Sequence, residues 1–244
     1  MLVGEVFGWM IEFGSVLSLA LGLLTSGDGR LAEIVWLSLR VSLSAVGIGC
    51  LVGIPLGAFL AVGRFPGRGI VTTLLSAMMG LPPVVVGLLV YLMLSRAGPM
   101  GVFGLLYTPT AMIIAQAVLV TPLIAALARQ SLADRHLEYD EWFRSMRLSR
   151  AETIATLIWE DRYSLLTTAL AGFGRAIAEV GAVIIVGGNI DRVTRVMTTT
   201  IALETSKGDL ALALALGTIL IGIAIAINAA VALLRRTAAG SAYA

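Results

Sequence analysis

The chain alternates long apolar runs with short polar breaks, and five of the runs are long enough to predict membrane-crossing helices. A crossing needs about 20 mostly apolar residues, each adding roughly 1.5 Å. The first predicted span covers 34–62. Its uncharged stretch, Val41 to Gly63, is 23 residues long, and Arg40 sits at its edge, where the head can snorkel to water. GRFPGRG (63–69) is a tight basic turn. The second span, 70–95, contains GLPPVVVG (80–87), in which Pro82 and Pro83 remove two main-chain donors and kink or break the helix. Lipid tolerates the freed carbonyls only against protein or a cavity, so this span is expected to line an interior surface; an ordinary packing kink is the alternative. A Gly/Pro-rich loop (96–109) leads to the third span, 109–130, with Gln116, Thr121 and Pro122 inside it. The fourth span is 163–187, and the fifth, 209–234, is closed by Arg235 and Arg236. Between them, 187–209 is too apolar for a free loop and too polar for a lipid-facing helix.

Residues 6–24 are apolar but interrupted by Glu12 and three glycines. Trp9, Phe13, Val16, Leu17, Ala20 and Leu24 share one helical face, which predicts an amphipathic helix lying at the interface, with a sixth span as the alternative. The expected organisation is therefore an N-terminal interfacial segment (1–33) and a transmembrane domain (34–235) with a charged loop at 131–162. The fold class is all-α and polytopic.

Composition agrees. The chain is 58% hydrophobic and 13% charged, about half the charge of a soluble domain. Its single cysteine, Cys50, lies in an apolar run and reads as a small buried hydrophobe, which excludes a disulfide framework. Glu5 and Glu12, without a basic residue beside them, do not make a cleavable signal peptide. The basic residues set the orientation. One side collects Arg64, Arg68, Arg129, Arg135, Arg144, Arg147, Arg150, Arg162, Arg235 and Arg236, and the other Arg30, Arg96, Arg192, Arg195 and Lys207. This bias places the charged loop and the C-terminus in the cytoplasm.

The segment from Asp140 to Gly181 is the one long stretch fit to meet a soluble partner. Asp140 to Met146 predicts a short helix and Leu148-Ser149-Arg150 a break. Ser149 is placed as an N-cap with Glu152 three residues on, the reciprocal capping arrangement, before a second helix through Ile154, Leu157 and Ile158. No phosphate-binding glycine loop, nucleophile elbow or intramembrane carboxylate pair is present, so no catalytic residue is assigned. The lone His136 has no metal-ligand spacing around it and reads as a surface histidine. Arg175 and Glu179, i and i+4 in the fourth span, can pair on one helical face, as a structural clamp or as part of a gate.

This segment resembles the cytoplasmic coupling motif of ABC importer permeases. The pattern lies on Glu141-Trp142-Phe143, Arg147, Leu157 and Trp159-Glu160, with Trp142 and Phe143 at the alanines, Arg147 at the glycine and Glu160 at the proline. GFGRAIAEVGAVIIVGGNI (172–190) resembles permeases of tetrahedral oxyanions. MGLPPVVVGLLVYLMLSRAGPMG, LLYTPTAMIIAQ and TRVMTTTIALETSKGDLALALALG look like the tungstate branch. The resemblance implies a molybdate-permease-like fold and two copies around a pathway in the bacterial or archaeal plasma (inner) membrane. It also implies an extracellular or periplasmic oxyanion-binding protein and a separate ATPase dimer that binds ATP and Mg, this chain carrying no cofactor or metal. No nucleic-acid partner is expected.

Under that reading Trp142 and Phe143 are the apolar anchors in an ATPase groove, beside Glu141 and Ser149, and Arg144, Arg147 and Arg150 are the rim. A left-handed turn at the glycine position is costly for Arg147, so the turn is expected to be shaped differently or to couple less well. A divalent oxyanion needs donors, which Thr198, Thr199 and Thr200 supply as hydroxyls and Arg192 and Arg195 as charge near the outer mouth. Threonines of this kind also bond to their own backbone in membrane helices. Pro82 and Pro83 form the opposite side of the constriction. The alternative is a self-sufficient carrier or channel for small anions, which would show inverted repeats and midplane ionisable groups.

Overall fold

The computed structural model describes residues 28–241, together with Ser18 and Gly22 as isolated positions. The interfacial helix expected over 6–24 lies outside the described residues.

Helix α1 runs Gly29–Val62. It starts ahead of the expected 34 because Asp28 accepts a hydrogen bond from the Arg30 N–H at 2.9 Å and caps it. The second span is two half-helices, α2 (Arg68–Met79) and α3 (Pro83–Leu94), bent 100° at the break. Pro83 opens α3, where a missing donor costs no hydrogen bond.

Helix α4 runs Pro109–Ser145. The sequence reading separates a span ending near 130 from a short helix at 140–146; the structure joins them in one helix of 37 residues. No glycine or proline lies between Pro122 and Ser145, and Leu, Ala, Arg, Gln and Glu carry the helix on. Helix α5 (Arg150–Glu160) precedes a second broken span, α6 (Arg162–Ile177) and α7 (Gly181–Gly187), bent 59°. The fourth span expected over 163–187 is present and is built from these two helices. Helix α8 (Met197–Lys207) fills the ambiguous 187–209 stretch, and α9 (Leu210–Ser241) follows. Among the described residues, three continuous apolar helices and two bent pairs make five crossings when each pair counts as one.

The polarity of 187–209 is explained by α8. Thr198–Thr200 in its first turn are buried, and its first amide is tied to α1: the Met197 N–H donates to Ser38 Oγ at 2.8 Å, and Ser38 Oγ–H donates to Ile34 O at 2.7 Å. The helix is interior at its start and exposed at its end.

The centre of the bundle is the pairing of α1 with α4. Without a hydrophobic driving force between helices in lipid, close approach through small residues does the packing. Gly49, Gly53 and Gly57 recur every fourth residue on α1 and lie against α4. A Cβ at Gly57 would sit 2.6 Å from Ala125 O and 2.8 Å from Arg129 N, both main-chain atoms that cannot turn aside.

Gly57→Ala is expected to lower the stability of the detergent-solubilised protein by about 1–3 kcal/mol, through forced separation of α1 and α4. Gly47→Ala, on the same helix, meets nothing within 4 Å and is expected to be neutral or stabilising. Thermal unfolding of both variants checks the contrast; equal effects would refute the contact.

Candidate functional site: the crossed breaks and the charged elbow

The two broken spans cross at their breaks. A Cβ at Gly87 would lie 2.7 Å from Ala182 Cα, and one at Gly181 would lie 2.9 Å from Val84 Cγ2, so α3 and α7 pass almost backbone to backbone. On the α3 side Pro82 O accepts from the Val85 and Val86 N–H groups at 3.0 and 3.2 Å. On the α7 side Glu179, only 3% exposed, holds the turn. Its Oε1 accepts from the Ala182 N–H at 3.1 Å and its Oε2 from Arg175 Nη1 at 2.7 Å. Gln116 Nε2, from α4, donates to Ala176 O at 2.9 Å and satisfies a carbonyl at the end of α6. The expected Arg175–Glu179 pair is therefore formed, with Glu179 in the link between two helices. Both of its carboxylate oxygens are thus hydrogen-bonded, one of them by a guanidinium.

Thr198, Thr199 and Thr200 stand beside this crossing, and their hydroxyl protons are committed to main-chain carbonyls. Thr198 Oγ1 donates to Glu179 O at 2.9 Å, Thr199 Oγ1 to Val196 O at 3.1 Å and Thr200 Oγ1 to Val196 O at 2.7 Å. Thr198 thereby pins α8 to the break in the fourth span. Arg192 and Arg195 lie one turn before α8, on a loop with Asn189 (φ 49°) and Arg192 (φ 58°) in the left-handed region. Asp191 joins this loop to α1: its Oδ1 accepts from Arg30 Nη2 at 3.3 Å and from Arg195 Nη1 at 2.9 Å.

At the opposite end, α4 and α5 form the helical elbow. The Leu148 N–H donates to Phe143 O at 3.1 Å and the Arg147 N–H to Arg144 O at 3.1 Å, the paired bonds that end a helix around one left-handed residue. That residue is Arg147, at φ 52°. The turn keeps the shape a glycine would give it, contrary to the altered turn expected, and the strain falls on the arginine. Leu148 packs back onto Phe143. Ser149 then starts α5 with the predicted reciprocal cap: its N–H donates to Glu152 Oε2 at 2.8 Å and its Oγ accepts from the Glu152 N–H at 3.3 Å. The Ser149 hydroxyl and N–H hold the Glu152 carboxyl below its ordinary pKa, so the cap is intact at neutral pH and opens in acid as pH falls through that lowered value.

The two aromatic anchors divide. Trp142 is 68% exposed, whereas Phe143 is buried, with its ring centroid 6.1 Å from that of His136 and 6.0 Å from that of Tyr139. Phe143 therefore belongs to the core of the elbow, corrected from the partner-facing role the resemblance gave it. His136 is half-buried, and burial chiefly lowers its pKa; Arg64, Arg68 and Arg144 add to this and Asp140 opposes it. Glu141, Arg144, Arg147 and Arg150 are exposed on the same surface. Trp159, on which the end of the coupling pattern was laid, is also 68% exposed, with the Arg162 guanidinium 5.0 Å from its ring centre. The sequence reading gave no role to Asp161, 2% exposed, which bonds Ser131 Oγ and accepts from Arg135 Nε at 3.4 Å, fastening the α5–α6 joint to α4. That joint needs a contact across thirty residues that no local pattern carries.

A helical membrane bundle with two spans broken at a common crossing and a charged elbow at one end defines a transport subunit. The chain belongs to the family described as "Binding-protein-dependent transport system inner membrane component", which matches residues 53–239. It is 43% identical over 212 residues to the tungstate uptake system permease protein TupB of Peptoclostridium acidaminophilum, covering 87% of this chain and 93% of that protein. It is 38% identical over 204 residues to the "Probable anion ABC transporter permease protein" of Haloferax volcanii, covering 82% and 88%. Identity to TupB of Campylobacter jejuni is 37% over 174 residues, covering 71% and 73%. Sulfate and molybdenum transport permeases are similar at lower identity.

Arg147→Gly is expected to stabilise the protein by about 1 kcal/mol, since a side chain in a left-handed position costs roughly that. Ser149→Ala is expected to destabilise it by about 1 kcal/mol through the lost cap. Opposite shifts in thermal midpoint confirm the turn; a destabilising Arg147→Gly would show that the arginine side chain holds the elbow.

Proposed function

We propose that this chain is the membrane permease of an ABC importer that takes up a tetrahedral oxyanion, tungstate first and molybdate as its nearest competitor. The observation that carries this reading is the 43% identity to a tungstate uptake permease over nearly the whole of that protein. Two copies enclose the pathway on a two-fold axis. The charged elbow and the C-terminus lie in the cytoplasm, in line with the excess of arginines at that end.

The elbow docks on a separate ATPase subunit, which binds ATP and Mg; the permease itself does no bond chemistry. Leu137, Trp142, Met146 and Trp159 are exposed apolar side chains around the elbow, rimmed by Arg144, Arg147 and Arg150. An exposed aromatic entering a dry groove supplies most of the energy at such a contact, and the arginines set orientation. Motion of the elbow reaches the crossing through α4, whose Gln116 holds the end of α6. With Glu179 already engaged by Arg175 and the Ala182 N–H, the break presents no free carboxylate to repel a dianion. The Thr198 hydroxyl is engaged on Glu179 O, so it meets substrate only once the crossing of Pro82-Pro83 against Glu179–Gly181 opens, while those of Thr199 and Thr200 stay on Val196 O at the head of their own helix. The substrate arrives from an extracellular or periplasmic binding protein.

In proteoliposomes holding this chain, its ATPase and the binding protein, tungstate is expected to stimulate ATP hydrolysis well above sulfate. Trp142→Ala is expected to reduce the stimulated rate at least roughly tenfold, the loss of a central aromatic anchor. Equal stimulation by molybdate would keep the importer and remove the preference. Failure of the chain to associate with any ATPase would sink the reading in favour of a self-sufficient anion carrier.

A further inference from the structure

A cleft of about 430 Å³ opens at the end of α1 opposite the elbow, between α1 and the loop before α8. Four arginines line it, Arg30, Arg40, Arg192 and Arg195, against two carboxylates, Glu33 and Asp191. Asp191 is taken up by Arg30 and Arg195. Among the described residues Arg40 and Arg192 have no hydrogen-bond or ion-pair partner, and both are exposed. Arg195 is 13% exposed; its Nη1 is on Asp191, and its Nε is buried with nothing to bond. The loop also holds Arg192 in a left-handed conformation, a strain proteins retain mostly where geometry is used.

We propose that this cleft binds a tetrahedral oxyanion, with the unpaired Arg40 and Arg192 as the charges that hold it and Arg195 in the cleft wall beside them. Four guanidiniums against two carboxylates leave an excess of two positive charges, the match for a dianion such as tungstate. Arg195 stands three residues before Thr198, whose hydroxyl is bonded to the break at Glu179, so an anion here sits at the head of the helix that pins the crossing. The inference rests on the importer reading in placing the cleft on the outer face, where it would receive the anion released by the binding protein. Arg40 also marks the edge of the 23-residue uncharged run. The same oxyanion chemistry is therefore offered by a lipid phosphate at the outer interface.

The test uses the full chain alone in phosphatidylcholine nanodiscs, without ATPase or binding protein, so its outcome is independent of whether the chain assembles into an importer. Tungstate retention is measured by equilibrium dialysis at low salt. Saturable binding is expected. Arg192→Gln, exposed and unpaired, is expected to weaken it at least roughly tenfold, as loss of a charge-assisted contact does. Arg195→Gln should do the same, and Arg192→Gln keeps the test valid if that variant fails to fold. Arg96→Gln, exposed on the same side outside the cleft, should leave binding unchanged. Discs containing phosphatidylglycerol separate the sources: undiminished tungstate binding supports a free-anion site, and competitive loss of it supports the same site filled by a lipid phosphate. Absence of tungstate binding in phosphatidylcholine discs, or an equal loss in Arg96→Gln, overturns the proposal.

Discussion

Everything in this bundle hangs on the main-chain approach of α1 to α4. In lipid the apolar side chains of a helix gain little by meeting another helix, so the contact that fixes two helices must be made by close packing. The glycines at 49, 53 and 57 allow that packing against Val120, Ile124 and the backbone of Ala125 to Arg129. The remaining helices take their places from this pair. Helix α6 reaches it through Gly172, where an added Cβ would meet Ile124 at 2.8 Å, and α8 through Ser38. The broken spans, which have too few continuous residues to hold themselves across a membrane, lean on the same frame.

The polar groups inside the bundle follow one rule. Each break in a helix frees main-chain donors and acceptors, and a side chain from the break or a neighbouring helix takes them up. Glu179 caps α7, Gln116 receives the end of α6, and Thr198 closes onto Glu179 O. These three side chains come from two helices, α4 and α8, and from the link between α6 and α7. The crossing is thus a joint at which helices separated in sequence share one hydrogen-bonded seam.

What the sequence made legible was what is encoded locally. Apolar run length located the three continuous spans and two bent pairs among the described residues, the tandem prolines located one break, and the Ser149–Glu152 spacing located the start of α5. The second break was not read because only Gly181 borders it and no proline does; a buried carboxylate reaching forward to Ala182 holds it, and that is a tertiary fact. The fusion of the elbow onto α4 was readable in principle from the lack of breakers after Pro122, yet the change from apolar to charged residues suggested a boundary that the backbone ignores. Trp142 and Phe143 look equivalent in sequence and differ only in helical phase, one outward and one into the stack with His136 and Tyr139.

The unbroken course of α4 has a mechanical meaning. It is a rod of 37 residues gripped near its middle by the glycine face of α1, and a rod so held behaves as a lever on a fulcrum. From the grip at Thr121–Arg129 the two arms are about 18 and 24 Å, at roughly 1.5 Å per residue to Pro109 and Ser145. Turning as one piece about that grip, where Pro122 sits inside the helix, the rod would carry a displacement of the elbow to the far end with reversed direction. Closing one side of the bundle and opening the other would then be a single rotation.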